Sequence, residues 1–132
     1  MIALDTSSLI AFFEGQPGRD VDRVYDAFAG KHACLPPAVL TELLSDPHLP
    51  GRVVTLLHQL PLLLLLDGYW QRAGLLRAKV LTRKRKARLG DVLIAQSCLD
   101  HNVTLVTRDS DFQTFAEVAG LSLGSNERRL KK

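Results

Sequence analysis

The chain has 132 residues, of which 46% are hydrophobic and 23% are charged, the composition of a soluble globular protein. This length suits one domain with a substantial core and excludes two domains of ordinary size. We therefore expect one domain over residues 1–123 and a basic tail at 124–132. The longest apolar run, 60–66, is interrupted by Pro61 and is shorter than the roughly 20 residues of a membrane span.

The formal net charge is +3, and the basic residues are unevenly distributed. Seven of the 17 lysines and arginines lie between Arg77 and Arg88, and four more lie between Arg128 and Lys132. Such clusters suit a polyanionic partner, although a charge run can also be a solvated helix face.

The first residues resemble a strand and carry no basic leader region, so we expect no secretory signal and a cytoplasmic protein. The two cysteines form no CxxC pair and lie among apolar neighbours. We expect Cys34 and Cys98 to be reduced and buried.

Short apolar runs alternate with longer stretches of helical period, which predicts a βαβ protein with a parallel sheet. In chain order the pattern predicts a strand at 2–5, helices at 6–14 and 20–29, a strand at 33–35, helices at 37–46 and 51–58, a strand at 62–66, a helix at 68–84, a helix from Asp91 to about Leu99, a strand at 103–107, a helix at 110–119 and an edge strand at 121–123. Gly90 is expected to break the chain before Asp91. The continuous apolarity of 62–66 predicts a strand buried on both faces.

Four carboxylates are distinguished by their positions in this pattern. Asp5 and Asp109 follow predicted strands, and the carboxyl ends of parallel strands are where open α/β sheets bind ligands. Asp91 begins an apolar helix, and Glu42 lies at the margin of another. Each also has a structural explanation, because Asp is a favoured helix N-cap and Glu at a helix margin is commonly solvated.

Right-handed crossovers bring Asp5 and Asp109 to adjacent strand ends. Periodicity alone places Asp91 a full helix away, so it joins the others only if its end of the helix bends back over the sheet. Carboxylates packed together require a cation to offset their repulsion. An all-oxygen site suits Mg²⁺ or Mn²⁺, and the four histidines show no zinc-ligand spacing.

Four motifs in order resemble those of the PIN-domain nucleases: Asp5-Thr6-Ser7, Leu40-Thr41-Glu42-Leu43, Asp91-Val92-Leu93-Ile94-Ala95 and Thr107-Arg108-Asp109-Ser110-Asp111-Phe112. The size and the strand at the N-terminus look like the VapC-type toxins of type II toxin–antitoxin pairs. The resemblance implies a three-layer PIN-like α/β fold with a central, mostly parallel sheet of about five strands flanked by helices.

The resemblance also implies a function, a Mg²⁺- or Mn²⁺-dependent endoribonuclease that cleaves RNA phosphodiesters with metal-activated water. It implies that Asp5, Asp91 and Asp109 hold the metal and that Glu42 completes the catalytic set by positioning or deprotonating the water. The expected minor or outer ligands are Asp111, Thr6, Ser7 and Thr107. A homodimer and a cognate antitoxin protein are the expected partners.

The stretch 83–88 is more basic than the resemblance leads one to expect. It would dock the RNA backbone, although an acidic antitoxin segment or plain solvent exposure is an alternative. Two other functions stay open at this point. One is a PIN-type RNA-processing nuclease without a toxin role, and the other is a catalytically idle module that binds RNA or a partner.

Overall fold

The structure, a computed structural model, describes residues 1–124, so most of the predicted tail lies outside the described residues. Its centre is a parallel sheet in the order β2-β1-β3. The strands are β1 (Ile2–Leu4), β2 (Ala33–Cys34) and β3 (Thr104–Val106). The sheet is flanked by helices, which confirms the α/β class.

The helices of residues 1–124 follow the predicted order closely. They are α1 (Thr6–Phe13), α2 (Arg19–Ala29), α3 (Pro37–Leu44), α4 (Gly51–His58), α5 (Tyr69–Thr82), α6 (Leu89–His101) and α7 (Gln113–Ala119), with a 3₁₀ turn at Ser110–Phe112. Pro37 begins α3, where its fixed φ and missing N–H are tolerated. No helix within this part of the chain is long and apolar enough to cross a membrane.

The two outer strands of the expected five are reduced to single parallel bridges, Leu35 with Leu62 and Leu105 with Leu123. The expectation that 62–66 is buried on both faces is wrong, because Leu63 alone is buried there. This segment lies at the edge of the sheet and is hydrogen-bonded to Leu35, the residue that follows β2. The Leu35 N–H donates to the Pro61 carbonyl, and the Leu63 N–H donates to the Leu35 carbonyl. An edge segment has a neighbour on one side only, so its remaining leucines stay exposed.

Helix α6 begins at Leu89, two residues earlier than predicted, and Gly90 lies inside its first turn instead of breaking the chain. The buried positions Val92, Ile94, Ala95 and Cys98 face the core. Asn102, in the left-handed conformation with φ of 52°, ends the helix and turns the chain directly into β3. Both cysteines are buried as free thiols.

Candidate functional site

The position of Asp91 follows from the direction of α6. The connection from α6 to β3 is two residues long, so the C-terminus of the helix lies beside the start of the strand. The helix therefore runs antiparallel to the strands, and 13 residues at 1.5 Å each return its N-terminus over about 20 Å to the carboxyl ends of the sheet. No bend is needed, which corrects the expectation that Asp91 lies a full helix away.

The four predicted carboxylates accordingly meet at one open cavity of about 470 Å³. Asp5, Glu42, Asp91 and Asp109 all line it. The other lining residues are Thr6, Ser7, Ile10, Ser45 and Arg88. The structure thus brings together every residue that the sequence proposed for the catalytic set.

Asp5 is buried and held in a fixed orientation. It is the N-cap of α1, which confirms the structural role that the sequence allowed for it. Its Oδ2 accepts hydrogen bonds from the hydroxyls of Ser7 at 2.7 Å and Thr107 at 2.8 Å. Burial raises the pKa of Asp5, and these hydroxyls oppose the rise. The two motif hydroxyls therefore orient this carboxylate and stabilise its ionised form.

Asp109 and Asp111 are fixed by the turn that follows β3. Asp109 Oδ1 accepts a hydrogen bond from the Asp111 N–H at 2.9 Å, and the Asp109 N–H donates to Thr107 Oγ1 at 3.0 Å. Asp109 caps the 3₁₀ turn as expected from the sequence. One oxygen of each of Asp91, Asp109 and Asp111 lies within 4.8 Å of the others. Asp111, expected as a minor or outer ligand, therefore lies close enough to Asp91 and Asp109 to share a metal ion with them.

Asp91 lies in the first turn of α6, whose N-cap is Arg88, so the alternative that Asp91 is an N-cap is wrong. Among residues 1–124 its carboxylate forms no hydrogen bond or ion pair. Its pKa rises to about 6, first because of burial and then because of the negative charges of Asp109, Asp5 and Glu42, while Arg88 acts in the opposite direction. The charge of Arg88 therefore offsets only part of the burial and of the repulsion from the neighbouring carboxylates, and the ionised form of Asp91 stays disfavoured.

Glu42 reaches the cavity from α3 and accepts a hydrogen bond from the Thr6 hydroxyl. It approaches α6 closely, because a Cβ atom on Gly90 would lie 3.0 Å from Glu42 Oε2. The glycine that the sequence suggested as a chain break instead makes room for this carboxylate.

The donor set fits a hard divalent cation. It consists of carboxylate oxygens, and one oxygen of each of Asp91, Asp109 and Asp111 lies within 4.8 Å of the others. The Asp91 carboxylate has no hydrogen-bond or ion-pair partner in the described chain and so is available to a cation. Mg²⁺ and Mn²⁺ prefer oxygen ligands and offset repulsion among carboxylates.

Two contacts near the site were not foreseen from the sequence. Arg108 donates hydrogen bonds to Asp20, to Gln16 and to the Pro17 carbonyl, and thereby ties the end of β3 to the α1–α2 loop. Lys86 forms an ion pair with Asp111 at 3.0 Å. Arg88, which belongs to the basic stretch expected to dock RNA, lines the cavity itself.

The family model described as PIN domain matches residues 2–119. The chain belongs to the PIN domain family. PIN domains are in general nucleases, and they generally use divalent metal ions. The resemblance carried by the four sequence motifs is thereby confirmed. No curated protein matches the chain in sequence.

Several solved structures share the fold of this PIN domain. VapBC-1 from nontypeable Haemophilus influenzae aligns with a TM-score of 0.72 at 20% identity, covering 93% of this chain and 96% of that chain. FitAcB from Neisseria gonorrhoeae aligns with a TM-score of 0.68 at 21% identity, covering 93% and 96%. VapBC2 from Rickettsia felis, bound to a DNA fragment from its promoter, aligns with a TM-score of 0.68 at 22% identity, covering 93% and 97%. At these identities the likeness establishes the fold.

Proposed function

We propose that this PIN domain is a Mg²⁺- or Mn²⁺-dependent endoribonuclease and the toxin of a toxin–antitoxin pair. The observation that carries the nuclease proposal is the convergence of Asp5, Glu42, Asp91 and Asp109 on one cavity. The toxin role is supported by the fold shared over 93% of the chain with chains of VapBC and FitAB structures. The cytoplasmic location expected from the sequence belongs to the same proposal.

In this proposal Asp5, Asp91 and Asp109 hold the ion, with Asp111 close enough to join them. A bound Mg²⁺ or Mn²⁺ supplies Lewis-acid stabilisation of charge on the phosphodiester and activates water as the nucleophile. Ser7 and Thr107 keep the Asp5 carboxylate oriented by their hydrogen bonds.

Glu42 serves as the general base. It lies at the exposed side of the cavity and is positioned by the Thr6 hydroxyl, so its carboxylate is accessible to water. It accepts a proton from the water that attacks phosphorus, and the P–O bond to the leaving oxygen breaks as the new one forms.

Two apolar surfaces support the expected protein partners. A groove of about 690 Å³ is lined by apolar side chains including Phe12, Phe28 and Leu60, and it suits a short apolar segment of an antitoxin. Trp70 and Leu89 are 63% and 60% exposed beside a second cavity of about 360 Å³ and suit a second copy of this chain. Sedimentation of the purified chain alone at a monomer mass would contradict the homodimer.

Replacing one carboxylate tests the catalytic proposal. We expect Asp5→Asn to lower RNA cleavage by more than about 100-fold, because even changes to the groups that support metal ligands cost about 10–100-fold. RNA binding, measured by fluorescence anisotropy, should persist in this variant. The matched control is Asp26→Asn, which removes an exposed carboxylate on α2 that does not line the cavity. Full cleavage by Asp5→Asn would overturn the proposed catalytic role of the carboxylates, whereas RNA binding without cleavage by the unmodified protein would leave an RNA-binding module as the function.

A further inference from the structure

The basic stretch 83–88 is divided by its contacts into two parts. Arg85 donates hydrogen bonds to Glu117 at 3.0 Å and to Thr114 at 2.8 Å, and Lys86 pairs with Asp111 at 3.0 Å. These contacts fasten the stretch to α7 and to the turn before it. The charges of Arg85 and Lys86 are therefore already offset within the fold.

Arg88 differs from both of them. Its side chain is exposed and lines the cavity together with the four carboxylates. Within residues 1–124 its guanidinium nevertheless forms no hydrogen bond or ion pair, although its positive charge lowers the pKa of Asp91. An arginine is thus held beside four carboxylates without pairing with any of them.

The backbone at Arg88 is well anchored. Ala87 is buried, and its carbonyl accepts a hydrogen bond from Arg77 Nε at 2.8 Å. The Arg88 carbonyl accepts from the Val92 N–H at 3.0 Å as the N-cap of α6. The base of the side chain is therefore fixed at the cavity rim, while its charged end is available to a ligand.

We propose that Arg88 is a substrate-binding residue that donates hydrogen bonds to a non-bridging oxygen of an RNA phosphate at the cavity. This inference rests on the proposed ribonuclease function and assigns the binding step to one residue. A guanidinium matches the geometry of a phosphate and remains charged at every working pH. RNA approaching this site meets four carboxylates, and Arg88 is the one cation among the residues of 1–124 that line the cavity. It offsets part of the repulsion between the phosphate and these carboxylates.

The test measures RNA binding without cleavage. Each variant is placed in the Asp5→Asn background, and its affinity for a short, mixed-sequence single-stranded RNA is measured by fluorescence anisotropy over a range of salt concentrations. We expect Arg88→Ala to weaken binding about 10-fold at low salt, the effect of one charge-assisted contact. The slope of log affinity against log salt should become shallower by about 0.7, the value for one phosphate contact on a single strand.

Two further variants separate a phosphate contact from general charge or from a structural role. Arg88→Lys keeps the charge and should restore the salt slope but only part of the affinity. Arg83→Ala is the matched control, because the Arg83 side chain is also exposed and also has no hydrogen-bond or ion-pair partner in the described chain, but it does not line the cavity. At 0.1 M salt it should change affinity less than about 3-fold, because an exposed charge outside the cavity is screened over about 10 Å.

The Mn²⁺ affinity of the single Arg88→Ala variant gives an independent readout. Removing a positive charge from the cavity should leave that affinity unchanged or higher, whereas a residue that merely supports the carboxylates would lower it on removal. Equal effects of Arg88→Ala and Arg83→Ala on RNA affinity and salt slope would overturn the assignment of Arg88. Failure of the proposed function is a separate result, namely absence of cleavage by the unmodified protein.

Discussion

At the scale of single residues, Asp91 is the cavity carboxylate whose pKa is shifted most from its ordinary value. Burial and the charges of Asp109, Asp5 and Glu42 raise its pKa to about 6 from 3.8. The metal-free folded chain therefore retains a proton on Asp91 between about pH 4 and 6 that the unfolded chain releases. The contribution of Asp91 to the free energy of unfolding therefore falls as the pH rises through that window. Above the window this contribution no longer changes with pH.

The Asp91→Asn variant isolates this effect. In EDTA, we expect the thermal stability of the unmodified protein to fall relative to Asp91→Asn as the pH is raised from about 4 to 6, because the amide has no proton to lose. Above pH 6 the difference should stay constant. The control Asp26→Asn should follow the unmodified protein, and circular dichroism melts at matched ionic strength provide the measurement. Parallel pH profiles for all three proteins would show that Asp91 is not perturbed in this way.

At the scale of elements, Arg108 joins two segments that are distant in sequence. Its Nε and a terminal nitrogen donate to both oxygens of Asp20 at 2.8 and 3.1 Å, and Ser8 donates to the same carboxylate at 2.8 Å. Although desolvation acts against it, the hydrogen bonds from Arg108 and Ser8 hold the pKa of Asp20 below its usual value. A Cβ atom on Gly18 would lie 2.5 Å from Asp20 Oδ1, so the loop is built closely around this pair.

Loss of this contact should destabilise the fold without removing a cavity group. We expect Arg108→Ala to lower the urea midpoint of unfolding, because the variant loses the hydrogen bonds to Asp20, to Gln16 and to the Pro17 carbonyl. Arg19, next to Asp20, is exposed, and its side chain has no hydrogen-bond or ion-pair partner in the described chain. The control Arg19→Ala should therefore have a free energy of unfolding within about 0.5 kcal/mol of the unmodified protein. Urea unfolding measures both. Equal stabilities of the two variants would show that the Arg108 contacts contribute nothing.

The elements and the site were predictable from the sequence to different extents. Buried strands and helix faces leave a strong periodic signal, so the order of elements and the strand-end positions of Asp5 and Asp109 were recoverable. The position of Asp91 depends on the direction of α6, which periodicity does not show. The two-residue connection from α6 into a parallel strand places the N-terminus of the helix at the carboxyl ends of the sheet. The exposure of most of 62–66 could not be read from periodicity, because a leucine run looks the same at an edge and in a core.

At the scale of the whole molecule, a chain with net charge +3 concentrates four carboxylates in one cavity. In the proposed function, basic residues outside the cavity attract the RNA backbone and the cavity holds a divalent cation. This separation explains why the acidic site and the basic segments occur in one small domain. It also means that removal of Arg88 should lower RNA affinity without lowering metal affinity.

The account depends most on the claim that the acidic cavity is a metal-dependent ribonuclease centre. The most direct measurement is RNA cleavage by the purified chain during a Mn²⁺ titration that starts in EDTA, with analysis of the product ends. We expect no cleavage in EDTA, recovery with Mn²⁺, and products without a 2′,3′-cyclic phosphate, because the nucleophile is water and not the 2′-hydroxyl. Full cleavage in excess EDTA, or products that carry a cyclic phosphate, would contradict the account.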